Sequence, residues 1–150
     1  MTDKIFSNPH HLGLIVKDMD KAIELYQSLG ISPFEARKPF DRVERKSLDT
    51  VSDPGPARIK AKFADIGPIK IEMIQPLSGE SLANKFLETD GEGISHLGFT
   101  VDDIDSSEAE LVNRGFKLLY KSRYRNGGGI AYFDIGLGNL TIEIVQWPRD

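Results

Sequence analysis

The sequence predicts an α+β fold built from two tandem βαβββ modules. The first observation is an internal repeat, in which HLGLIV beginning at His11 matches HLGFTV beginning at His96, 85 residues later. The second is a later echo, in which IEMIQ at 71–75 resembles IEIVQ at 142–146. Two matches in the same chain order indicate a duplicated unit, and such a repeat decides the fold.

Each module begins with a strand and a helix. The alternating segment HLGLIV, rich in branched residues, is typical of a strand. Asp18 or Asp20 is expected to cap the helix that follows, and Gly30 to end it. At helical spacing, the expected apolar face comprises Ala22, Ile23, Leu25, Tyr26 and Leu29. The second module repeats this face more weakly with Ala109, Leu111 and Val112, and its helix is expected to end at Gly115.

Three further strands are expected in each module, at about 32–38, 58–65 and 69–75 and at about 116–122, 129–135 and 139–146. We place module one at 9–76, a connector with a short helix near 80–88 at 77–93, and module two at 94–148. All belong to one domain spanning 1–150. The separation between the histidine and the glutamate is longer in module one, from His11 to Glu72, than in module two, from His96 to Glu143. The surplus is assigned to 40–56, and a connection of this length is typical of a lid or binding loop.

Composition narrows the function classes. The net charge of −4 argues against a general nucleic-acid binder, which would usually be basic. The absence of cysteine excludes disulfides, thiol nucleophiles and thiolate metal sites. The amino terminus has no apolar signal-peptide core, and no apolar run approaches the roughly 20 residues of a membrane helix. The expectation is a cytoplasmic protein without a membrane partner.

Strand alternation selects four side chains that could do chemistry. His11 lies opposite the apolar face that should pack under the helix, and His96 repeats this placement in module two. Glu72 and Glu143 each stand between two apolar residues of a later strand. Each module therefore presents one histidine and one glutamate away from its helix.

Pairing of the modules about a pseudo-twofold axis would bring these four residues together. Two imidazoles and two carboxylates suit one divalent ion, such as Zn, Ni, Co, Fe or Mn. A lone strand histidine is more often packed or exposed than a ligand, but recurrence in repeat register favours the metal site. His10 is expected to turn to the opposite side. The pairing could occur within one chain or across a dimer.

The pattern resembles the vicinal oxygen chelate superfamily, which includes glyoxalases, methylmalonyl-CoA epimerases, extradiol dioxygenases and antibiotic-resistance proteins. The resemblance covers roughly residues 9–148. Within the superfamily it is closest to the epimerases: IQPLSGESLANKFL at 74–87 is similar to their proline-leucine-x-x-x-serine connector. HLGFTVDDID followed by RGFKLLY, and the final TIEIVQWP, are also similar to them.

The resemblance implies a curved, mostly antiparallel sheet around a metal held by His11, Glu72, His96 and Glu143. It further implies that the metal stabilises an enolate-like charge while a carboxylate moves a proton α to a carbonyl. Glu143 is the first candidate for this base and Glu72 the second. The sequence departs from the epimerases at Asp134-Ile135, where they have a His-Pro pair, and at Lys60 and Lys62, where some carry an acid. The insertion at 40–56 has no obvious counterpart.

A basic segment suggests an anionic small-molecule substrate, such as an acyl-CoA. Residues 35–62 hold eight basic and five acidic side chains, and Lys121, Arg123 and Arg125 precede three glycines. The alternative is a solvated basic face. Three functions remain open: a metal-dependent isomerase or epimerase, a glyoxalase-like lyase acting on a thiol adduct of a 2-oxoaldehyde, and a metal-free ligand-binding protein. The resemblance also implies a homodimer.

Overall fold

A computed structural model describes residues 5–36, 42–47 and 58–149, and for 42–47 only the course of the backbone. The described chain forms nine strands and three helices: β1 (Pro9–Ile15), α1 (Met19–Ser28), β2 (Glu35–Ala36), β3 (Arg42–Ser47), β4 (Arg58–Ile66), β5 (Ile69–Ser78), α2 (Leu82–Asp90), β6 (Gly93–Thr100), α3 (Ile104–Asn113), β7 (Lys117–Tyr124), β8 (Gly129–Asp134) and β9 (Thr141–Gln146). The predicted α+β class is confirmed. None of the helices in these segments is long and apolar enough to cross a membrane.

The chain divides into two compact units, named here after the strand that carries each candidate glutamate. The β5 unit comprises His11–Lys38 and Val51–His96. The β9 unit comprises Met1–His10, Pro39–Thr50 and Leu97–Asp150.

In the β5 unit the strand order is β2-β4-β5-β1. β1 runs parallel to β5 and β4 runs antiparallel to it, so Gly13 and Phe63 both stand opposite Glu72. α1 covers the other face. There Met19 packs with Val16 and Met73 in a core that excludes water.

In the β9 unit the order is β9-β8-β7-β3, with every pair antiparallel. α3 lies on one face, where Ile104 and Leu111 pack with Phe133 and Ile144. On β8, Tyr132 stands opposite Glu143.

The two long helices begin in repeat register, as the sequence predicted. Asp18 caps α1 by accepting a hydrogen bond from the Lys21 N–H, and Asp103, 85 residues later, caps α3 by accepting from Ser106. The bond from the Ser106 N–H lowers the pKa of the exposed Asp103 carboxyl, because it favours the charged form. α2, predicted near 80–88, begins after its own cap, Ser81.

The predicted apolar faces of the helices are wrong in part. Leu25 and Leu29 are 60% and 68% exposed. The side of α1 that packs on the sheet follows Met19, Ala22, Ile23 and Tyr26. Positions three, four and seven residues after Met19 return to its side of the helix, whereas position six does not, and Leu29 lies beyond the last helical residue.

The same error recurs in α3. Its buried residues are Ile104, Ser107 and Leu111, whereas Val112 is 47% exposed and Ala109 is also exposed. Counting apolar residues without fixing the phase of the helix therefore included exposed residues in the predicted face of both helices.

The segment expected to be a lid is partly a strand. β3 lies within 40–56 and pairs antiparallel with β7, so it belongs to the β9 unit although the sequence assigns it to module one. Residues 40, 41 and 48–56 lie outside the described chain. Of the strand predicted at 32–38, Glu35–Ala36 is a strand, residues 32–34 are not, and residues 37 and 38 lie outside the described chain. The other five predicted strands are confirmed.

A glutamine joins the sheet to the helix in each unit. The side-chain oxygen of Gln75 accepts a hydrogen bond from the Met19 N–H at 2.9 Å, and that of Gln146 accepts from the Ile104 N–H, also at 2.9 Å. These N–H groups belong to the first helical residues, which have no partner within the helix. The IEMIQ and IEIVQ echo thus encodes a helix attachment as well as a glutamate.

We expect Gln75→Ala and Gln146→Ala each to lower the free energy of unfolding by about 1 kcal/mol, because each removes the hydrogen bond to a partly buried N–H. Urea unfolding followed by circular dichroism measures the change. Gln27→Ala, which truncates an exposed glutamine of α1, is the control and should stay within about 0.5 kcal/mol of the wild type. Equal stability of all three variants would show that the attachment contributes nothing.

Candidate metal centre

Three of the four predicted ligands lie together in the β5 unit. His11, Glu72 and His96 come from β1, β5 and β6, and each is only 3% exposed. Alternation along β5 sends Glu72 to the face opposite Met73 and Gln75, which face α1. The predicted side for Glu72 is therefore confirmed.

The ligand atoms of this group converge. The Nε2 atoms of His11 and His96 are 3.0 Å apart, and Oε1 of Glu72 lies 3.9 Å from the first and 3.5 Å from the second. The three residues offer ligand atoms that all lie within 4.8 Å of one another.

The chemistry of this donor set fits a divalent cation. Burying an ionised carboxylate is costly unless a positive charge accompanies it. Two imidazolium rings with their Nε2 atoms so close would repel each other, whereas neutral imidazole nitrogens and a carboxylate oxygen suit a transition-metal ion or zinc.

The ring of His96 occupies space that only glycine leaves free. A Cβ atom added to Gly13 would lie 2.0 Å from Cε1 and 2.1 Å from Nδ1 of His96. Since real Cβ atoms do not approach so closely, any side chain at this position would displace the ring. Phe63 also bounds the group, with its ring 5.8 Å from that of His11 in an edge-to-face contact.

Sequence reasoning missed two supporting residues, Gly13 and Ser95. The Ser95 hydroxyl lies 3.2 Å from Nδ1 of His96 and 3.4 Å from the Gly13 carbonyl oxygen. The recurrence of glycine two residues after each histidine, at Gly13 and Gly98, was a signal for the first. The sequence held no comparable signal for Ser95.

The fourth predicted ligand, Glu143, belongs to the β9 unit. It is 5% exposed, and its neighbours Ile142 and Ile144 point to the side of the sheet that packs on α3. Opposite it stands Tyr132, whose ring lies 6.2 Å from that of Tyr120. The predicted facing of Glu143 is confirmed, and its role as a ligand stays a prediction.

His10 behaves differently from His11. It lies in the β9 unit, where its ring is 5.0 Å from that of Trp147. This packing agrees with the interpretation of His10 as a residue at the start of a strand.

The sequence analysis proposed two groups of basic side chains for binding an anionic substrate. Within the described residues, several of them form ion pairs or face away from Glu72. Arg123 binds Asp105 and Glu108 of α3, and Lys121 lies 3.5 Å from Glu108. Burial alone would lower the pKa of Arg123, but its bonds to these two carboxylates raise it above its usual value. Arg37 and Lys38, with the side chains of Arg42, Arg45 and Lys46, lie outside the described part of the chain. On β4, Lys60 and Lys62 alternate with Phe63, so they face away from Glu72.

Comparison with known families gives one match over most of the chain. The model of the glyoxalase/bleomycin resistance protein/dioxygenase superfamily matches residues 10–133. The uncharacterized protein YqjC of Bacillus subtilis (strain 168) is 27% identical over 77 residues, which are 50% of this chain and 55% of that protein. The chain therefore spans about half the length of the curated relative it matches.

Solved structures share the fold over nearly the whole chain. Methylmalonyl-CoA epimerase from Mycobacterium tuberculosis is 27% identical with a TM-score of 0.68, over 97% of this chain and 91% of that one. A hypothetical protein from Bacillus halodurans C-125 is 22% identical with a TM-score of 0.67, over 95% and 96%. A Streptomyces coelicolor methylmalonyl-CoA epimerase variant in complex with 2-nitronate-propionyl-CoA is 20% identical with a TM-score of 0.64, over 94% and 97%. The last two likenesses show the fold alone.

We expect Gly13→Ala to destabilise the metal-free protein by about 1–3 kcal/mol, the usual cost of overpacking. Its backbone has no left-handed φ, so the added methyl group acts through the His96 ring and not through backbone strain. In a His96→Ala background the same change should be neutral or stabilising by up to about 1 kcal/mol, since alanine is otherwise favoured over glycine within a strand.

A double-mutant cycle measured by urea unfolding in the presence of a chelator gives both values. The same cost in both backgrounds would mean that the ring is not what Gly13 accommodates.

Proposed function

The chain belongs to the glyoxalase/bleomycin resistance protein/dioxygenase superfamily, and from this premise we propose that it is a metal-dependent isomerase or epimerase. The reaction moves a proton on the carbon next to a carbonyl group. The leading substrate class is an acyl-CoA thioester such as methylmalonyl-CoA. The observation that carries the proposal is the buried convergence of His11, Glu72 and His96.

Glu143 completes the proposed ligand set as its fourth member. The IEIVQ segment that holds it repeats the IEMIQ segment that holds Glu72. Both glutamates are buried, and in both units the glutamine three residues later attaches a helix to the opposite face of the strand. An acid buried away from the helix-side core in each unit is the expected outcome if both carboxylates serve one ion.

A divalent ion held by these residues would supply Lewis-acid stabilisation of the negative charge that develops on a substrate carbonyl oxygen. The chain itself supplies the base. A carboxylate oxygen of Glu143 accepts the α-proton and returns it, and Glu72 is the second candidate for this role. Epimerisation requires proton handling on both faces of the planar carbon, and two glutamates provide two such groups. Their burial excludes bulk water, which strengthens the interaction of each carboxylate with a nearby cation.

The substrate class draws its support from the family likeness. The similar structures include methylmalonyl-CoA epimerases, one of them described with a propionyl-CoA analogue bound. These proteins, 20–27% identical to this chain, therefore guide the choice of assay substrate. We also propose a homodimer and a cytoplasmic location.

The glyoxalase-type lyase is the alternative that the same assay separates. Its substrate is a hemithioacetal of a 2-oxoaldehyde. The carbon that bears the hydroxyl and the sulfur loses its proton, and this carbon also lies next to a carbonyl group. The metal-free binding function is the least favoured, because members of that kind usually lack the histidine and glutamate set that is buried in this chain.

We expect His11→Ala to abolish tight binding of one divalent ion per chain, because alanine offers no donor in place of imidazole. Affinity measured by chelator competition with Zn²⁺ or Co²⁺ should fall by more than about 100-fold, the upper end for changes that touch a ligand only indirectly. His10→Ala, one residue earlier, is the matched control and should retain wild-type affinity. Similar affinities for the two variants would remove His11 from the site.

We expect Glu143→Gln to retain much of its metal but to lose α-proton exchange by about 100-fold or more, the scale of general-base effects. The amide keeps the shape and one oxygen ligand but cannot accept the proton near neutral pH. Exchange is measured as deuterium uptake from heavy water into methylmalonyl-CoA, and in parallel into the methylglyoxal–glutathione hemithioacetal. Glu72→Gln should be milder, because related epimerases have glutamine at the matching position.

Two results would contradict this assignment. Exchange by Glu143→Gln at the wild-type rate would exclude the base role. Activity that returns in full when excess metal is added would reduce Glu143 to a ligand. A separate outcome concerns the substrate: wild-type exchange into the hemithioacetal but not into methylmalonyl-CoA would favour the lyase over the epimerase.

A further inference from the structure

The Ser95 hydroxyl contacts the proposed ligand His96 and the backbone of Gly13. It lies 3.2 Å from Nδ1 of His96 and 3.4 Å from the carbonyl oxygen of Gly13. Ser95 is 8% exposed and His96 3% exposed. Bulk water therefore does not compete for these bonds.

The position of the proton on His96 can be inferred from the hydrogen bond that the Ser95 hydroxyl donates to the Gly13 carbonyl oxygen. A backbone carbonyl oxygen can only accept a hydrogen bond, and a serine hydroxyl has a single proton to donate. If that proton goes to the Gly13 carbonyl, the serine oxygen must accept from Nδ1. His96 then carries its proton on Nδ1, and its Nε2 is unprotonated and can accept a hydrogen bond from Nε2 of His11.

This unprotonated nitrogen lies beside the other candidate ligands. Nε2 of His96 is 3.0 Å from Nε2 of His11 and 3.5 Å from Oε1 of Glu72. A histidine that binds a metal through one nitrogen commonly donates its other N–H to an outer partner, which fixes both the tautomer and the ring orientation. Ser95 stands in the position of that partner.

Gly13 takes part in this arrangement twice. Its missing side chain leaves room for the His96 ring, and its carbonyl accepts from Ser95. The hydrogen bonds that connect Gly13, Ser95 and His96 therefore link β1 to β6 within the β5 unit. The repeat does not duplicate it, because the position equivalent to Ser95 in module one is His10.

We propose that Ser95 is a positioning residue that holds His96 in the Nδ1–H tautomer, with Nε2 directed at the metal position. The inference rests on the proposed metal site for its purpose, but the tautomer itself is a property of the metal-free chain. Ser95 does not contact the ion or the substrate. Its role is to present one ligand with the correct nitrogen unprotonated.

The test compares Ser95→Ala with Ser95→Thr, which keeps the hydroxyl. Ser107→Ala is the matched control, because Ser107 is also a buried serine at 8% exposure but lies on α3 in the β9 unit. Each full-length variant is labelled with ¹⁵N at histidine and stripped of metal. The tautomer of His96 is read from its ring nitrogen shifts at about pH 8, where imidazole is ordinarily neutral. His96→Ala assigns the signals.

We expect the wild type, Ser95→Thr and Ser107→Ala to show His96 as the Nδ1–H tautomer. Ser95→Ala should instead show a mixture or the Nε2–H form. In chelator competition with Zn²⁺, Ser95→Ala should bind about 10–100-fold more weakly than the wild type, while Ser95→Thr and Ser107→Ala stay within about twofold.

An unchanged tautomer in Ser95→Ala, or an Nε2–H tautomer in the wild type, would overturn the proposal. So would a Ser95→Ala affinity equal to that of the wild type. If the wild type binds no Zn²⁺ at all, the proposed metal function fails, and the nitrogen shifts still decide the role of Ser95. If Ser95→Ala does not fold, the wild-type tautomer and the Ser95→Thr variant provide the decision.

Discussion

The attachment of a helix by a strand glutamine determines which face of each unit carries a buried acid. Gln75 and Glu72 are three residues apart on β5, so alternation puts them on opposite faces. Because Gln75 bonds the first N–H of α1, Glu72 must point away from the helix. Gln146 and Glu143 repeat the relation with α3. A neutral hydrogen bond on one side of the sheet thus sets the placement of a carboxylate on the other.

Burying the carboxylate of Glu72 in this position costs free energy, because the charge is removed from water. The effective cost of burying an unpaired charge is several kcal/mol, whereas a glutamine attachment contributes about 1 kcal/mol. The attachment therefore orients Glu72 but cannot compensate for a carboxylate at 3% exposure. The carboxylate lies beside two imidazole rings, with its Oε1 3.9 Å from Nε2 of His11 and 3.5 Å from Nε2 of His96. A divalent cation among these three residues would offset part of the cost of burying the carboxylate.

The sequence predicted those features that leave a periodic or repeated trace. The sequence left the cap of α1 open between Asp18 and Asp20, and the structure shows that Asp18 and its repeat equivalent Asp103 cap the helices. The side chains that could bind a metal were selected because strand parity is strict. β3 was not found as a strand because RVERKS has no apolar alternation. It pairs with β7 at the end of the β9-β8-β7-β3 order, and charged residues are typical of edge strands. Leu25 and Leu29 were misassigned because only the tertiary contacts fix the phase of α1.

The supporting contacts of His96 could not be predicted for a different reason. They depend on a close approach between residues 82 positions apart, Gly13 and Ser95, and no local pattern encodes such an approach. The duplication even conceals it, since His10 stands where the second module has Ser95. His10 packs on Trp147 while Ser95 bonds Nδ1 of its neighbour. The two modules therefore repeat the positions of the candidate histidine and glutamate but not the contacts around them.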